Sequence, residues 1–234
     1  MPNHDDRSEH HHHGVPTETV TGHRGSGRSV NLFSFVAVMA GIEVIDIVLT
    51  LRLQHVGRHG DIIQQLSDHL SRVSNGLFLF FFISSIVLLF MSRDKTPRFV
   101  LPMLTTYLSV VSLNVLFNIA TMFLQPLSLH QSQINPLIDL ILVFSSVTLI
   151  FSLWYELIDV TSPTQAIEFP HRGGEGEPPI QWFDYFVVSF YSNSTFGPTT
   201  ESIKSRKVQF LMMIQVSLAL MVLVVLVARI VKAS

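Results

Sequence analysis

The chain has 234 residues, with 15 Lys and Arg against 17 Asp and Glu, so its net charge is −2 and charged side chains make up only 14% of it. Soluble domains carry about 25% charged residues. Here the charges gather between long apolar runs, the pattern of an integral membrane protein and not of a nucleic-acid binder, whose phosphates demand clustered Lys and Arg. With no cysteine in the chain, disulfides, thiolate metal sites and cysteine nucleophiles are excluded.

Residues 1–29 hold almost no bulky apolar side chains and predict a disordered tail, because they cannot bury enough surface to offset the entropy of ordering. Its His10, His11, His12 and His13 read either as a metal-binding tract or as a solvated polar remnant. The first apolar run begins only at Val30, so no cleaved signal is expected.

Five apolar stretches follow, at 30–53, 73–91, 99–124, 137–158 and 208–231. Each approaches the about 20 residues that a helix needs to cross the hydrocarbon core. In lipid every backbone polar group needs an internal partner, so these stretches predict helices. Residues 30–160 are thus expected to form a four-helix transmembrane region. Within the polar connector 52–72, Ile62, Ile63, Leu66 and Leu70 recur at helical spacing and predict a surface helix. SRDKTPR at 92–98 reads as a basic turn, QPLSLHQSQINP at 125–136 as a Pro-bounded loop, and 161–179 as a Gly/Pro-rich loop.

The last segment, 180–234, is organised differently. IQWFDYFVVSFY at 180–191 predicts a helix of about 18 Å, entered through Pro178 and Pro179, which suit a helix start. That length reaches only halfway across a bilayer. The run Ser192, Asn193, Ser194, Thr195, Phe196, Gly197, Pro198, Thr199, Thr200, Glu201 then breaks the helix at Gly-Pro. Two readings fit. In one, a half-helix aims its partially negative C-terminal end at the membrane middle, where it favours a cation, and hydroxyls and carbonyls of the return segment replace water around the ion. In the other, Trp182, Phe183 and Tyr185 form an interfacial belt and the helix lies at headgroup depth.

Isolated polar groups mark the other spans. Glu43 and Asp46 share one face in the middle of the first; intramembrane acids are functional candidates by default. They read as a cation or proton route, or as groups kept neutral or paired with an arginine. Asp139 and Glu156, near the ends of the fourth span, are expected to meet the interface. Asn114 and Asn118, one turn apart, predict helix-joining amides. Gln209 and Gln215 read as facing either a pore or a neighbouring helix.

The stretch FDYFVVSFYSNSTFGPTTESIKSRKVQFLMMIQVSLALMVLVVLVARIV, about a third of the chain, resembles the two-helix pore module of potassium-channel-like proteins. Thr195, Phe196 and Gly197 stand where that family has Thr-Val-Gly, Glu201 lies near its acidic position, and Ala228-Arg229-Ile230-Val231 mirrors the ending of many bacterial inner helices. It is still more similar to uncharacterised bacterial membrane proteins with a Phe-Ser-Pro-Thr-Asp version of this loop. The resemblance implies an all-α multi-pass transmembrane protein with a re-entrant pore helix and loop before the last helix, four copies around a path for monovalent cations, and a place in the cell membrane, a bacterial inner membrane by that likeness. It implies an ion pathway at Ser194, Thr195, Phe196, Gly197, Pro198, Thr199, Thr200 and Glu201. Pro198 fixes φ and lacks an N–H, and Thr199 replaces a filter glycine. Both departures predict a wider and less selective path, or a fold that no longer conducts.

A proton-coupled transporter using Glu43 and Asp46 and a non-conducting scaffold or sensor are the rival readings. No nucleophile–base set or metal-ligand spacing appears, so neither an enzyme nor a cofactor is expected. One conflict stands: a loop opening outward after four spans puts the basic turns outside, against the positive-inside rule.

Overall fold

The computed structural model describes residues 32–54, 100–124, 134–170, 172–173, 176–194, 197 and 200–233. It also describes positions 65, 69, 72–73, 76–77, 79–80 and 83–84, all helical. The expectations for the tail, the His tract, most of the polar connector and the basic turn fall outside these residues.

Five helices are described from end to end: α1 (Leu32–Gln54), α2 (Val100–Leu124), α3 (Ile134–Thr161), α4 (Trp182–Asn193) and α5 (Arg206–Ala233). Two strands of two residues, β1 (Ile167–Glu168) and β2 (Ser202–Ile203), pair antiparallel on either side of α4. Among the described residues, three stretches are long and apolar enough to cross a membrane: Val100–Ala120, Leu137–Thr161 and Arg206–Val224. The chain is therefore a helical membrane protein.

α3 runs three residues beyond its apolar stretch at each end. At its C-terminal end the Thr161 and Ser162 hydroxyls donate to the carbonyls of Leu157 and Ile158 at 2.7 and 2.6 Å, satisfying acceptors that a helix end leaves without intrahelical partners. α3 is also the hub. Val143, Val147, Ile150, Phe151, Leu153 and Leu157 are buried on it, among residues such as Met39 and Ile42 of α1, Leu104 and Leu108 of α2, Val188 of α4, and Val208 and Val222 of α5.

Side-chain pairs give the helix directions. Gly41 faces Leu149, and Arg52 bonds Asp139 at 2.6 Å, so α1 runs antiparallel to α3. Glu43 bonds Tyr107, whereas Asp46 bonds Asn114 and Asn118, so α1 and α2 run parallel. The nine residues 125–133 between α2 and α3 span at most about 33 Å. Helices of 25 and 28 residues are about 37 and 42 Å long, so that link joins antiparallel neighbours.

The acids of α1 are built into this packing. The Tyr107 hydroxyl donates to Glu43 Oε1 at 2.9 Å, and the Asn114 and Asn118 amides donate to Asp46 Oδ1 at 2.7 and 3.1 Å. These partners are a phenol and two amides, and the asparagines join helices as their spacing predicts. Asp46→Leu removes the acceptor that both amides use and is expected to cost about 2–3 kcal/mol. Asp46→Asn retains an acceptor and should cost less than half as much. Thermal unfolding in detergent, comparing the two variants, checks this.

Candidate functional site

The site is the short helix and the chain on either side of it. α4 starts two residues later than the apolar run, at Trp182, because Pro178 and Pro179 lie ahead of its cap, Gln181. Asp184, in the third helical position, reaches back to accept from the Gln181 N–H at 2.8 Å, while its other oxygen pairs with Arg172 at 3.1 Å. An acid there offsets the positive end of the helix dipole.

Asp159 ties the start of α4 to the end of α3. Its Oδ1 accepts from the Ala166 and Ile167 N–H groups at 2.6 and 3.2 Å, and its Oδ2 accepts from the Tyr185 hydroxyl at 2.7 Å. The Ala166 carbonyl in turn accepts from the Lys204 and Ser205 N–H groups at 3.0 and 3.2 Å. The chain before α4 and the chain after it therefore lie side by side at the C-terminal end of α3. A Lys204–Glu168 ion pair of 2.8 Å fastens the two strands from outside.

From there α4 descends along α3. Trp182 donates to Ser152 Oγ at 3.1 Å, Ser189 donates to the Thr148 carbonyl at 2.7 Å, and the Asn193 amide donates to the Phe144 carbonyl at 3.1 Å and Thr148 Oγ1 at 2.9 Å. The stretch Leu137–Thr161 of α3 has its midpoint at Leu149. The last residue of α4 is thus anchored level with the middle of the neighbouring span. A return from that depth covers about 18 Å, and the eight residues 194–201 reach at most about 28 Å.

Gln215 closes the third side. It is fully buried, its Oε1 accepts from the Tyr155 hydroxyl at 2.6 Å, and its Nε2 donates to the carbonyl and hydroxyl of Ser189 at 2.8 and 2.9 Å. One amide therefore joins α3, α4 and α5. Of the two readings of Gln215, the structure has the neighbouring helix.

At the C-terminal end of α4, Ser192 Oγ and Ser194 Oγ donate back to the carbonyls of Val188 and Phe190. The Gly197 N–H reaches the Tyr191 carbonyl at 3.2 Å, and Gly197 has φ +67°. A Cβ there would meet no atom within 4 Å, so glycine is required by the left-handed backbone and not by space. Gly197→Ala is expected to cost about 1–2 kcal/mol, seen as a modest fall in melting temperature.

Of the proposed pathway residues, Ser194 and Gly197 lie at this helix end. Thr200 is exposed, its N–H toward Glu201 Oε2 at 3.3 Å, and Glu201 is half-buried. Thr195, Phe196, Pro198 and Thr199 lie outside the described residues. Asn193 is 3% exposed, and its Oδ1 has no hydrogen-bond partner among the described residues. Rotating the amide would set that oxygen against the Phe144 carbonyl, so its orientation is fixed by chemistry.

Glu156 corrects an expectation. It is 4% exposed, with Oε2 lacking a hydrogen-bond partner among the described residues, because neighbouring elements cover this part of α3. Asp139 is held in the ion pair with Arg52, its side chain 13% exposed. Asp159 is the group that sequence reasoning missed, and Tyr185, read there as a belt residue, is buried and bonded to it. Their signal is a pair of polar stripes at helical spacing: 148, 152, 155 and 159 on α3, facing 185, 189 and 193 on α4. No protein-family model, curated protein or solved structure matches the chain.

Proposed function

We propose that the chain is one subunit of an ion-channel-like membrane protein, in which α4 dips to mid-membrane, residues 194–201 return as a re-entrant loop, and several copies enclose a passive path for monovalent cations. The observation that carries this reading is the level of Asn193 beside Thr148, together with the strand pairing at the end of α3 that brings the chain in and out at one height.

The chemistry at the tip supports a cation. The C-terminal end of a helix carries partial negative charge. Asn193 Oδ1 adds a buried acceptor without a donor among the described residues, for which an ion or an ordered water is the natural partner. Non-helical backbone at this depth is tolerated only against protein or a water-filled cavity. One copy cannot enclose such a cavity, and closed rotational symmetry is the usual solution for identical chains; the potassium-channel resemblance implies four. The exposed face of α4, where Phe183 and Phe190 flank Phe186 with ring separations of 5.8 and 6.3 Å, and the exposed apolar faces of α5 serve lipid and neighbouring copies. Thr195 to Thr199 lie near the constriction and α5 lines the cavity. Glu43 and Asp46 join helices.

Single-channel recording from purified protein in planar bilayers tests the reading. Cation currents are expected, with altered ion preference in Thr195→Val and Gly197→Ala. An unchanged preference in both variants discards the constriction assignment, and the absence of current under all conditions discards conduction.

A further inference from the structure

The helix directions determine which end of the bundle α4 starts from. α1 and α2 run parallel, so both begin on the same side of the bundle. α3 is antiparallel to both. The N-terminal ends of α1 and α2, the two strands and the start of α5 therefore share one side.

The basic residues divide unequally between the two sides. Arg7, Arg24 and Arg28 precede α1, and Arg93, Lys95 and Arg98 precede α2. Arg172, Lys204, Arg206 and Lys207 flank the short helix and its return. These are ten of the 15 Lys and Arg; the remaining five are Arg52, Arg58, Arg72, Arg229 and Lys232. Arg172 and Lys204 on the first side and Arg52 on the second are paired with acids, so the imbalance stands without them. Lys and Arg in short loops near span ends concentrate on the cytoplasmic side.

A second observation agrees. Arg206 and Lys207 are exposed in the first turn of α5, which holds no acid. Cations at that end oppose the helix dipole, so their presence calls for an external anion, and the cytoplasmic leaflet supplies anionic headgroups.

We propose that α4 enters the bilayer from the cytoplasmic side and that the chain returns to that side at β2, with Arg206 and Lys207 at the start of α5 set among anionic headgroups. This orientation, opposite to the one implied by the potassium-channel resemblance, removes the charge conflict without removing a span. It rests on the reading of α4 as a dip and return.

Because the chain has no cysteine, single-cysteine variants label without background. Glu177→Cys and Ser202→Cys lie at exposed positions before and after the short helix, and Ala233→Cys marks the far end of α5. A membrane-impermeant maleimide is applied to intact cells and to permeabilised ones. The expected result is labelling at 177 and 202 only after permeabilisation, and at 233 in intact cells. The reverse pattern overturns the orientation while leaving the dip intact. Labelling of 177 and 202 from opposite sides overturns both, because α4 would then cross.

Discussion

Asp159→Ala is expected to be the most damaging single change at the site, costing about 3–5 kcal/mol and lowering the melting temperature in detergent by about 10 °C. The carboxylate receives two backbone N–H groups and a phenol, and hydrogen bonds to charged acceptors are roughly twice as strong as neutral ones. Their loss releases β1, and through the Ala166 carbonyl it loosens the start of α5 as well. Tyr185→Phe removes only the phenol bond and should cost about 1–2 kcal/mol. If the two variants unfold at the same temperature, the backbone half of the clasp carries no stability.

The second large effect is expected at Gln215. Its carbonyl and amide hydrogens serve three partners on two other helices. Gln215→Leu fills the same space but leaves the Tyr155 hydroxyl and the Ser189 carbonyl without these bonds, at a cost of about 2–4 kcal/mol. Because α5 touches α4 through this amide, the loss should alter function before it unfolds the chain. Current through the leucine variant is expected to fall at temperatures where its helix content, followed by far-UV circular dichroism, is unchanged. Loss of both together would make Gln215 merely structural.

Much of the architecture is legible in the sequence because lipid leaves the backbone few options. Four of the five apolar stretches are described as helices within two or three residues of their expected ends. The break after Asn193 follows from Gly-Pro, and the brevity of the short helix from a run of only twelve residues, nine of them apolar. What resists reading is pairing. That Asp46 belongs to Asn114 and Asn118, or Gln215 to Ser189, depends on which helices become neighbours, and a lone polar residue in an apolar stretch carries no such label.

Depth was equally hidden for Glu156. Five residues from a helix end resembles an interfacial position until neighbouring elements cover it. The two-residue strands could not be read either: two residues are too few to show an alternating pattern, and Ile167 pairs with Ile203 and Glu168 with Ser202 because Asp159 and Ala166 hold the two passes of the chain together.

The central claim is that α4 stops halfway through the membrane and the chain turns back. An electron cryo-microscopy reconstruction in lipid nanodiscs, where the bilayer itself is visible, measures this directly. The predicted result places Asn193 near the bilayer midplane, with residues 194–201 turned toward the symmetry axis of an oligomer. A reconstruction with α4 flat among the headgroups, or with those residues facing lipid, would contradict it.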